Sequence, residues 1–249
     1  MTGTNEPHRN QHGQPIGDPV PGWTPRQPTG PVTLVGRTVR LEPLTMDHAD
    51  DLFTALVEES DPRLWTYLTS GPFDDRDSFG GYLQSVVADP GMAAMAAVVD
   101  GTALGHECLM RNDPVHGSVE VGNIALGETL QRTTAATEAA FLLMRHVFDE
   151  LGYRRYEWKC DSLNAPSRQA ALRLGFGYEG RFRNAVVYKG RNRDTDWFSV
   201  TDAEWPRLRA SYEAWLEPAN FDDQGHQRQP LRALAAGVGS SHERDTADT

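Results

Sequence analysis

The segment Ser118–Gly152 constrains the fold more than any other part of the chain, because it reads as a strand, a short loop and a long helix in succession. The near-alternating β-branched residues Val119, Val121 and Ile124 predict the strand. Gly122 interrupts that run, and an isolated glycine in a strand indicates a bulge or a close approach of the backbone. A β-α unit is therefore expected at the centre of the fold.

The helix of this unit begins after a loop of small and polar residues, Gln131–Ala136. Gly152 stands where a left-handed C-terminal stop belongs. Such a loop brings several backbone N–H groups to a helix N-terminus, an arrangement that suits an anion and above all a phosphate. The alternative is a plain β-α connection with Thr133 or Thr134 as the N-cap. The apolar residues at helical spacing are Ala140, Leu143, Met144, Val147, Phe148 and Leu151.

Composition limits the classes of function. The 249 residues allow one large or two small domains, and the formal charge of -11 argues against binding to nucleic acid or to anionic membranes. The two cysteines, Cys108 and Cys160, lack the spacing of a metal site and are too few for a disulfide scaffold. No stretch approaches the roughly 18 uninterrupted apolar residues of a membrane span, and an apolar signal region is not seen at the N-terminus. A reducing cytoplasm is the expected compartment.

Both ends of the chain differ in composition from its middle. Residues 1–31 are rich in Pro, Gly, Asn and Gln and poor in aliphatic residues, and residues 222–249 are mostly polar. Such segments cannot bury enough apolar surface to offset the entropy of ordering, so both are predicted to be disordered arms. One domain is expected over residues 32–221.

Within the domain, Thr45 caps a predicted helix from about Met46 to Glu59, and a second helix is predicted from about Asp75 to Ala88. The dipeptide Asp100-Gly101 predicts a tight hairpin between two strands. The strand Arg155–Cys160 follows the central helix, and a short helix begins at Asn164 and ends at Gly175.

The last elements are an antiparallel pair of strands and a helix. Phe176–Arg183 and Trp197–Val200 read as strands joined by a polar, basic connection, and Thr201 with Glu204 forms a capping box for the helix. The full order is β α α β β β α β α β β α. It predicts an α/β (α+β) domain with a central mixed, mostly antiparallel sheet flanked by helices.

Three motifs in this order resemble the GNAT superfamily of N-acetyltransferases, in particular ribosomal-protein N-acetyltransferases of the RimJ/RimL type. Gln131–Ala139 is similar to the acyl-CoA pyrophosphate loop, Q/R-x-x-G-x-G/A followed by a T-E-A helix start. Asn164–Phe176 is similar to the N-x-x-S…L-G-F stretch of the family. Trp197–Val200 is similar to the strand usually found near the C-terminal end of proteins of this branch. The resemblance covers nearly the whole predicted domain and implies the GNAT fold with acetyl-CoA as co-substrate and no metal.

The chain departs from the family in its phosphate loop. Gln131–Ala136 contains no glycine, and Thr134 stands at one of the usual glycine positions. Backbone N–H groups can still point at a pyrophosphate if the loop stays near helical φ and ψ, whereas a positive φ is unfavourable for a residue with a Cβ. Arg132 offers a charge-assisted contact to phosphate instead.

The resemblance implies direct attack of an amine on the thioester of acetyl-CoA in a ternary complex. This chemistry needs a neutral amine, a donor to the oxyanion, a proton for the leaving thiolate, and orientation. In the family, a backbone N–H at a bulge of the central strand faces the thioester carbonyl, which places that bulge between Gly122 and Ala125. The residues implied to contact the cofactor are Asn123, Ile124, Ala125, Gln131, Arg132, Thr133, Thr134, Ala135, Ala136, Thr137, Asn164 and Ser167.

Two side chains are the catalytic candidates. Glu120 lies on the central strand and faces away from Val119 and Val121, so it is placed to accept the proton of an amine whose ordinary pKa is about 10. The alternative for Glu120 is a charge on a solvent-facing strand. The resemblance makes Ser167 the donor to the sulfur of CoA, with Asn164 holding the pantetheine arm; the alternative for both is helix capping.

Three functions stay open from the sequence. The first is an N-acetyltransferase acting on a protein N-terminus or a small amine. The second is an acyltransferase using another acyl-CoA such as succinyl-CoA, motivated by five basic residues near the last strands, whose alternative is a solvated hairpin. The third is a non-catalytic CoA-binding interaction module. The resemblance further implies a homodimer. The five basic residues are Arg181, Arg183, Lys189, Arg191 and Arg193.

Overall fold

A computed structural model describes residues 7–236. Within this range, eight strands form one mixed sheet in the order β1-β2-β3-β4-β5-β6-β8-β7. Neighbouring strands are antiparallel except for β5 and β6, which are parallel. The predicted mixed, mostly antiparallel sheet is therefore confirmed. The strands are β1 (Leu34–Val35), β2 (Arg40–Pro43), β3 (Met92–Val99), β4 (Thr102–Asp113), β5 (Ser118–Leu126), β6 (Arg155–Asp161), β7 (Gly177–Tyr188) and β8 (Arg191–Thr201).

Helices flank the sheet in the predicted order. Two predicted long helices are present but change their winding along their length. A 3₁₀ turn at Met46–His48 leads into α1, which continues as a π-helical turn at Thr54–Glu58, and α3 continues as a π-helical turn at His146–Glu150. A further 3₁₀ turn covers Pro62–Trp65. The α-helices are α1 (Ala49–Phe53), α2 (Arg76–Ala88), α3 (Thr134–Arg145), α4 (Ala165–Arg173), α5 (Trp205–Leu216) and α6 (Leu231–Ala236).

Several helix ends follow the capping residues expected from the sequence, but the capping box predicted for Thr201 and Glu204 is not formed: α5 begins at Trp205 without a side-chain cap, and the backbone N–H and hydroxyl of Thr201 donate to the Glu204 carboxylate. Thr133 precedes α3, and its hydroxyl accepts the backbone N–H of Ala136. Asn164 precedes α4, and its side chain accepts the N–H of Ser167. Gly152 has φ 67°, the left-handed conformation that ends the α3 segment. These caps fix where the loops of the site leave the helices.

The core consists of two clusters, one on each face of the sheet. On the first face, Val119 and Val121 of β5 pack with α3 and α5. On the second face, Cys108 of β4 packs with α1 and α2. Because side chains alternate along a strand, Leu109 belongs to the first cluster although it follows Cys108 directly. The names first face and second face are used below in this sense.

The final hairpin differs from the prediction. The predicted polar connection between residues 183 and 197 belongs to the strands: β7 runs to Tyr188 and β8 starts at Arg191. Lys189 and Gly190 make the turn with φ of 48° and 70°. Most of this extension is exposed, and its apolar residues form one consecutive run at 185–188, so it lacks the alternation of apolar and polar residues by which strands are recognised in a sequence.

The N-terminal arm also differs from the prediction of disorder over residues 1–31, because part of it lies against the domain. Trp23 donates its indole N–H to the carbonyl oxygen of Val115 at 2.9 Å. Arg26 donates to the carbonyl oxygen of Gly152 at 2.9 Å. These contacts use one aromatic side chain and the carbonyls of turns, which composition does not reveal. Residues 1–6 of the predicted arm lie outside the described residues.

The predicted tail over residues 222–249 begins with ordered structure. Helix α6 packs against α5, and its Leu231 side chain is buried in the first-face cluster. The packed part of the chain thus continues beyond residue 221, and residues 237–249 lie outside the described residues. None of the helices between residues 7 and 236 has the length and apolar character needed to cross a membrane.

Candidate active site

A gap opens between the two parallel strands at the centre of the sheet. The ladder between β5 and β6 ends at the pair of Val121 with Trp158. Both strands continue beyond it, β5 to Leu126 and β6 to Asp161. Their backbone groups in this region therefore have no partner from the other strand, and the sheet is open between its two faces.

The β-bulge predicted in Gly122–Ala125 lies beside this gap. Asn123 and Ile124 of β5 both lie opposite the single residue Glu107 of β4, where the register shifts. Asn123 has φ 47°, in the left-handed region that few residues other than glycine adopt. The bulge turns the backbone of β5 at the edge of the gap, which is the position at which the resemblance implies a backbone donor to a thioester carbonyl.

The loop before α3 is held by its own side chains. Gln131 donates its side-chain amide to the carbonyl oxygen of Leu126 at 2.7 Å, which joins the loop to the end of β5. Arg132 has φ 62°. The positive φ therefore falls on Arg132 and not on Thr134, which is already the first residue of the helix. For a residue with a Cβ, this left-handed conformation is unfavourable by about 1 kcal/mol.

The N-terminus of α3 presents backbone donors. The hydroxyl of Thr133 accepts the N–H of Ala136 at 3.1 Å. The first-turn N–H groups of Thr134 and Ala135 have no partner within the helix, because the residues four positions before them lie outside it. Together with the positive end of the helix dipole, such donors are of the kind that bind an anion.

Thr137 and Glu138 use their side chains within the fold. Thr137 is buried, and its hydroxyl donates to the carbonyl oxygen of Thr133 at 3.2 Å and accepts from Arg173 at 3.0 Å. Glu138 accepts the backbone N–H groups of Arg37 and Thr38 at 2.7 and 2.6 Å. In this structure the T-E-A part of the motif therefore fastens α3 to the turn before β2 and to α4.

Glu120 lies on the second face, opposite to its neighbours Val119 and Val121, as expected. Its side chain is only 4% exposed, and its carboxylate is held by two cations. Arg111 of β4 contacts Oε1 at 2.6 Å, and Lys159 of β6 contacts Oε2 at 2.8 Å. Glu120 is thus a buried, charge-paired carboxylate beside the bulge rather than a solvent-facing charge.

Lys159 connects Glu120 to a second carboxylate. Its ammonium lies 2.8 Å from Glu157 and 3.7 Å from the centre of the Trp197 ring. Burial raises the pKa of Glu157, but hydrogen bonds from Arg155 and Lys159 outweigh this effect and leave the pKa below its ordinary value. Two carboxylates and the cations between them therefore line the second face beside the gap.

Ser167 lies at the first turn of α4. Its Oγ accepts the indole N–H of Trp158 at 3.0 Å, and its backbone N–H donates to Asn164 at 3.1 Å. Because Trp158 donates a hydrogen bond to the Ser167 oxygen, the hydroxyl hydrogen of Ser167 can point to another acceptor. Burial raises the pKa of the neighbouring Cys160 thiol, and the Ser167 hydroxyl acts in the opposite direction.

The two catalytic candidates lie on opposite faces of the sheet. Glu120 faces the second face, whereas Trp158, the hydrogen-bond partner of Ser167, packs into the cluster of the first face. The gap between β5 and β6 connects the two.

The β7–β8 hairpin reaches over the second face, a feature absent from the predictions. Lys189 at its tip donates to the carbonyl oxygen of Trp65 at 2.7 Å. Tyr188 donates to the carboxylate of Asp161, at the end of β6, at 2.8 Å. The hairpin and the segment after α1 thus meet above the open part of the sheet and narrow the access to it.

Sequence reasoning missed Arg111 and Lys159, the partners of Glu120. The signal for Lys159 was available: Tyr156, Trp158 and Cys160 alternate as buried residues, which places Glu157 and Lys159 together on the other face. Arg111 has φ 48° and lies on a different strand, and no spacing along the chain connects it to Glu120. Between residues 7 and 236, no cluster of three or more His, Cys, Asp or Glu side chains is arranged to hold a metal ion.

Comparisons with known proteins agree with this geometry. The family model of the Acetyltransferase (GNAT) domain matches residues 38–177. No curated protein matches the chain. A GCN5-related N-acetyltransferase from Brucella melitensis is 45% identical and has a TM-score of 0.85, with 87% of this chain and 99% of that chain covered.

Two further solved structures extend the comparison. A probable acetyltransferase of the GNAT family from Chromobacterium violaceum is 39% identical with a TM-score of 0.72, covering 78% of this chain and 98% of that one. The Salmonella typhimurium acetyl transferase that modifies the N-terminal serine of ribosomal protein L7/L12 is 19% identical with a TM-score of 0.58, covering 67% of this chain and 96% of that one, and shares the fold. GNAT enzymes transfer an acyl group from acyl-CoA to an amine, with acetyl-CoA as the usual co-substrate. The family profile and the Brucella melitensis structure together place this chain in the GNAT acetyltransferase family.

Proposed function

We propose that this protein is an N-acetyltransferase that transfers the acetyl group of acetyl-CoA to a primary amine by direct attack in a ternary complex. One observation carries the proposal: the bulge at Asn123 lies beside the gap between β5 and β6, with the paired carboxylate of Glu120 on one face and the hydroxyl of Ser167 associated with the other. The N-terminus of α3 supplies the donors for the pyrophosphate.

In this mechanism the amine approaches over the second face. Glu120 accepts its proton, directly or through a water molecule, while Arg111 and Lys159 hold the carboxylate in place. The backbone N–H groups of the bulge stabilise the negative charge that develops on the carbonyl oxygen. Arg132, Thr134 and Ala135 bind the pyrophosphate.

The leaving thiolate needs a proton. The hydroxyl of Ser167 gives its proton to the sulfur as the C–S bond breaks, and solvent returns a proton to the Ser167 oxygen; Trp158 donates a hydrogen bond to that oxygen and leaves the hydroxyl hydrogen for transfer. Asn164 caps α4 with Oδ1 and keeps its side-chain N–H group for an amide of the pantetheine arm. Cys160 takes no part as a nucleophile, because burial raises the pKa of its thiol.

The amine acceptor belongs to one of two classes, a protein N-terminus or a small molecule. The RimJ/RimL-type resemblance favours the first, and the Salmonella enzyme that shares the fold modifies an N-terminal serine. The narrowing by the β7–β8 hairpin favours acceptors that enter as an extended end rather than as a folded surface. A homodimer remains part of the proposal from the resemblance.

A longer acyl donor such as succinyl-CoA is the second candidate, motivated by the basic residues of the β7–β8 hairpin. The structure gives three of these five residues other partners. Arg181 contacts the buried carboxylate of Asp196 at 2.7 Å, and Arg193 donates to Thr195 at 3.1 Å. With Lys189 also engaged, acetyl-CoA is the favoured donor.

The test begins with calorimetric titration of the protein with acetyl-CoA and with succinyl-CoA. Binding of acetyl-CoA is followed by mass spectrometry of a panel of peptides and small amines incubated with protein and donor. A mass increase of one acetyl group on the α-amine of a peptide supports the proposal for that class. Binding of neither donor would favour the non-catalytic interaction module.

The matched pair Glu120→Gln and Glu157→Gln tests the role of the base. Both carboxylates contact Lys159 on the same face, but only Glu120 lies on the strand that carries the bulge. Glu120→Gln is expected to lower kcat about 100-fold with acetyl-CoA affinity retained, and Glu157→Gln to change it far less. Equal losses in the two variants would show that the charge network matters rather than a base at residue 120.

A further inference from the structure

A buried hydrogen-bond chain connects helix α2 to the bulge of β5. The hydroxyl of Tyr82 on α2 donates to Oδ1 of Asn123 at 3.1 Å. The same hydroxyl oxygen lies 3.0 Å from Nε2 of His106 on β4. Tyr82 is 9% exposed and His106 is fully buried, so water does not compete for these contacts.

The proton positions in this chain follow from its connectivity. The single proton of Tyr82 is committed to the side-chain oxygen of Asn123. His106 must therefore donate from Nε2 to the Tyr82 oxygen, which identifies the neutral Nε2–H tautomer. Burial lowers the pKa of His106 to about 4, so the ring stays neutral near pH 7, and desolvation raises the pKa of Tyr82 above its ordinary range.

The residue at the end of this chain carries the unfavourable backbone conformation. Asn123 has φ 47° and is one of the two bulge residues opposite Glu107. A left-handed residue with a side chain persists where its surroundings hold it in place. Apart from the Tyr82 hydroxyl, the side chain of Asn123 has a long contact from Nδ2 to the sulfur of Cys108 at 3.9 Å.

We propose that Tyr82, supported by His106, is a positioning residue that holds Asn123 in its left-handed conformation and so aims the backbone of the bulge at the acyl carbonyl. Because neither Tyr82 nor His106 gains or loses a proton near neutral pH, the two groups act through geometry rather than by proton transfer. The aromatic rings around Tyr82 fix its direction: Phe73 lies 5.1 Å and Trp65 5.5 Å from it, centre to centre. The catalytic part of this inference rests on the proposed acetyl transfer.

The main variant is Tyr82→Phe, which removes the hydroxyl and keeps the ring. We expect kcat to fall about tenfold while the affinity for acetyl-CoA stays within twofold, because the anion site on α3 is not touched. Amide hydrogen exchange over residues 118–126 is expected to rise about tenfold in the free protein, since the bulge opens more often. This second readout does not depend on turnover.

Tyr153→Phe is the matched control. Tyr153 is also a buried tyrosine whose hydroxyl makes two hydrogen bonds, one from Asn112 at 2.6 Å and one to the carbonyl oxygen of Gln27 at 2.9 Å. It lies after α3, on the side of the domain that holds the N-terminal arm. The control is expected to lose a similar amount of stability without changing kcat or exchange over residues 118–126.

A double-variant comparison separates positioning from a direct role. Glycine adopts a positive φ without steric strain and has no side chain. In an Asn123→Gly background, the Tyr82 hydroxyl therefore has no hydrogen bond to residue 123 through which to stabilise the left-handed conformation. Tyr82→Phe should then change kcat by less than twofold. His106→Asn in the otherwise unchanged protein gives an independent check, with the same direction of change and a smaller size.

Unchanged exchange over residues 118–126 in Tyr82→Phe would overturn the inference. So would an equal loss of kcat with Asn123 and with glycine at position 123, because Tyr82 would then act on substrate directly. If the wild-type protein acetylates no amine, the proposed function fails, and the exchange comparison still decides whether Tyr82 holds the bulge.

Discussion

The two faces of the sheet differ in the surroundings of their buried acidic side chains. On the second face, Glu120 is ion-paired with Arg111 and Lys159. On the first face, Glu107 is buried among apolar residues, and within the described part of the chain its Oε1 has no hydrogen-bond partner. Burial raises the pKa of Glu107 to about 7. Burial on the packed face shifts Glu107 toward its neutral form, whereas on the open face the Glu120 side chain lies between two cationic side chains.

The difference follows from what covers each face. The first face is closed by α3 and α5, so a charge there would lose its hydration without gaining a partner. On the second face, α1 and α2 pack against apolar residues of β3, β4 and β5, and the charged side chains of Arg111, Glu120, Glu157 and Lys159 lie outside that apolar cluster. Four predictions test this contrast, in order of decreasing effect.

The first prediction concerns packing on the first face. Leu143 on α3 is fully buried, and Leu143→Ala is expected to lower the free energy of unfolding by about 3 kcal/mol, through lost burial and the cavity left behind. Urea denaturation followed by circular dichroism measures this. The control is Leu172→Ala on α4, whose side chain is 45% exposed and should lose less than about 1 kcal/mol. Equal losses would show that α3 is not packed as described.

The second prediction concerns Glu107. Its folded pKa of about 7 lies above the ordinary value of 4.5, so the folded state keeps a proton that the unfolded state releases between these pH values. The group therefore lowers stability as pH rises through this window, by on the order of 2 to 3 kcal/mol. Glu107→Gln should be more stable than wild type at pH 8 and equal to it at pH 4.5, measured by urea denaturation. A constant difference between the two proteins at both pH values would contradict this.

The third prediction concerns His106, its neighbour on the opposite face. Its folded pKa of about 4 lies below the ordinary 6.5, so the unfolded state takes up a proton that the folded state does not. Stability therefore falls as pH drops from 6.5 to 4, by on the order of 2 to 3 kcal/mol, the same size as for Glu107. His106→Asn loses a hydrogen bond at every pH, but its stability should fall less steeply across this window. Parallel pH curves for the two proteins would refute the assignment.

The last prediction concerns the contact above the open face. Lys189→Met removes the bond to the carbonyl oxygen of Trp65 and keeps most of the apolar stem of the side chain. Because one surface hydrogen bond is lost, the free energy of unfolding should fall by less than about 1 kcal/mol. Hydrogen exchange at the hairpin turn should rise, with Arg191→Met, an exposed residue of the same hairpin, as control. Matching exchange in the two variants would show that the contact does not restrain the hairpin.

The first face was largely predictable from the sequence. The alternation of Val119 and Val121, the helical spacing around Leu143 and the turn at Asp100-Gly101 each depend on neighbours along the chain. Two backbone features beside the candidate site were also predictable, namely the bulge between Gly122 and Ala125 and the start of α3. In these places the local pattern and the fold require the same structure.

The second face was less predictable, because its contacts join residues distant in sequence. Nothing along the chain connects Glu120 to Lys159, or Tyr82 to Asn123, until β4, β5, β6 and α2 are in place. The positive φ of Arg132 was also unexpected, since the loop Gln131–Ala136 contains no glycine that would predict it. Side-chain networks of this kind depend on tertiary geometry, which periodicity does not encode.

The docking of the N-terminal arm has a consequence for the order in which the protein forms. Trp23 meets its acceptor 92 residues later in the chain, and Arg26 meets its own 126 residues later. During synthesis the arm emerges before its binding surface, which is incomplete until the end of the α3 segment has left the ribosome. Contacts of such long range form late, after the loops they close have been ordered by other interactions. The arm is therefore among the last parts of the domain to reach its final position.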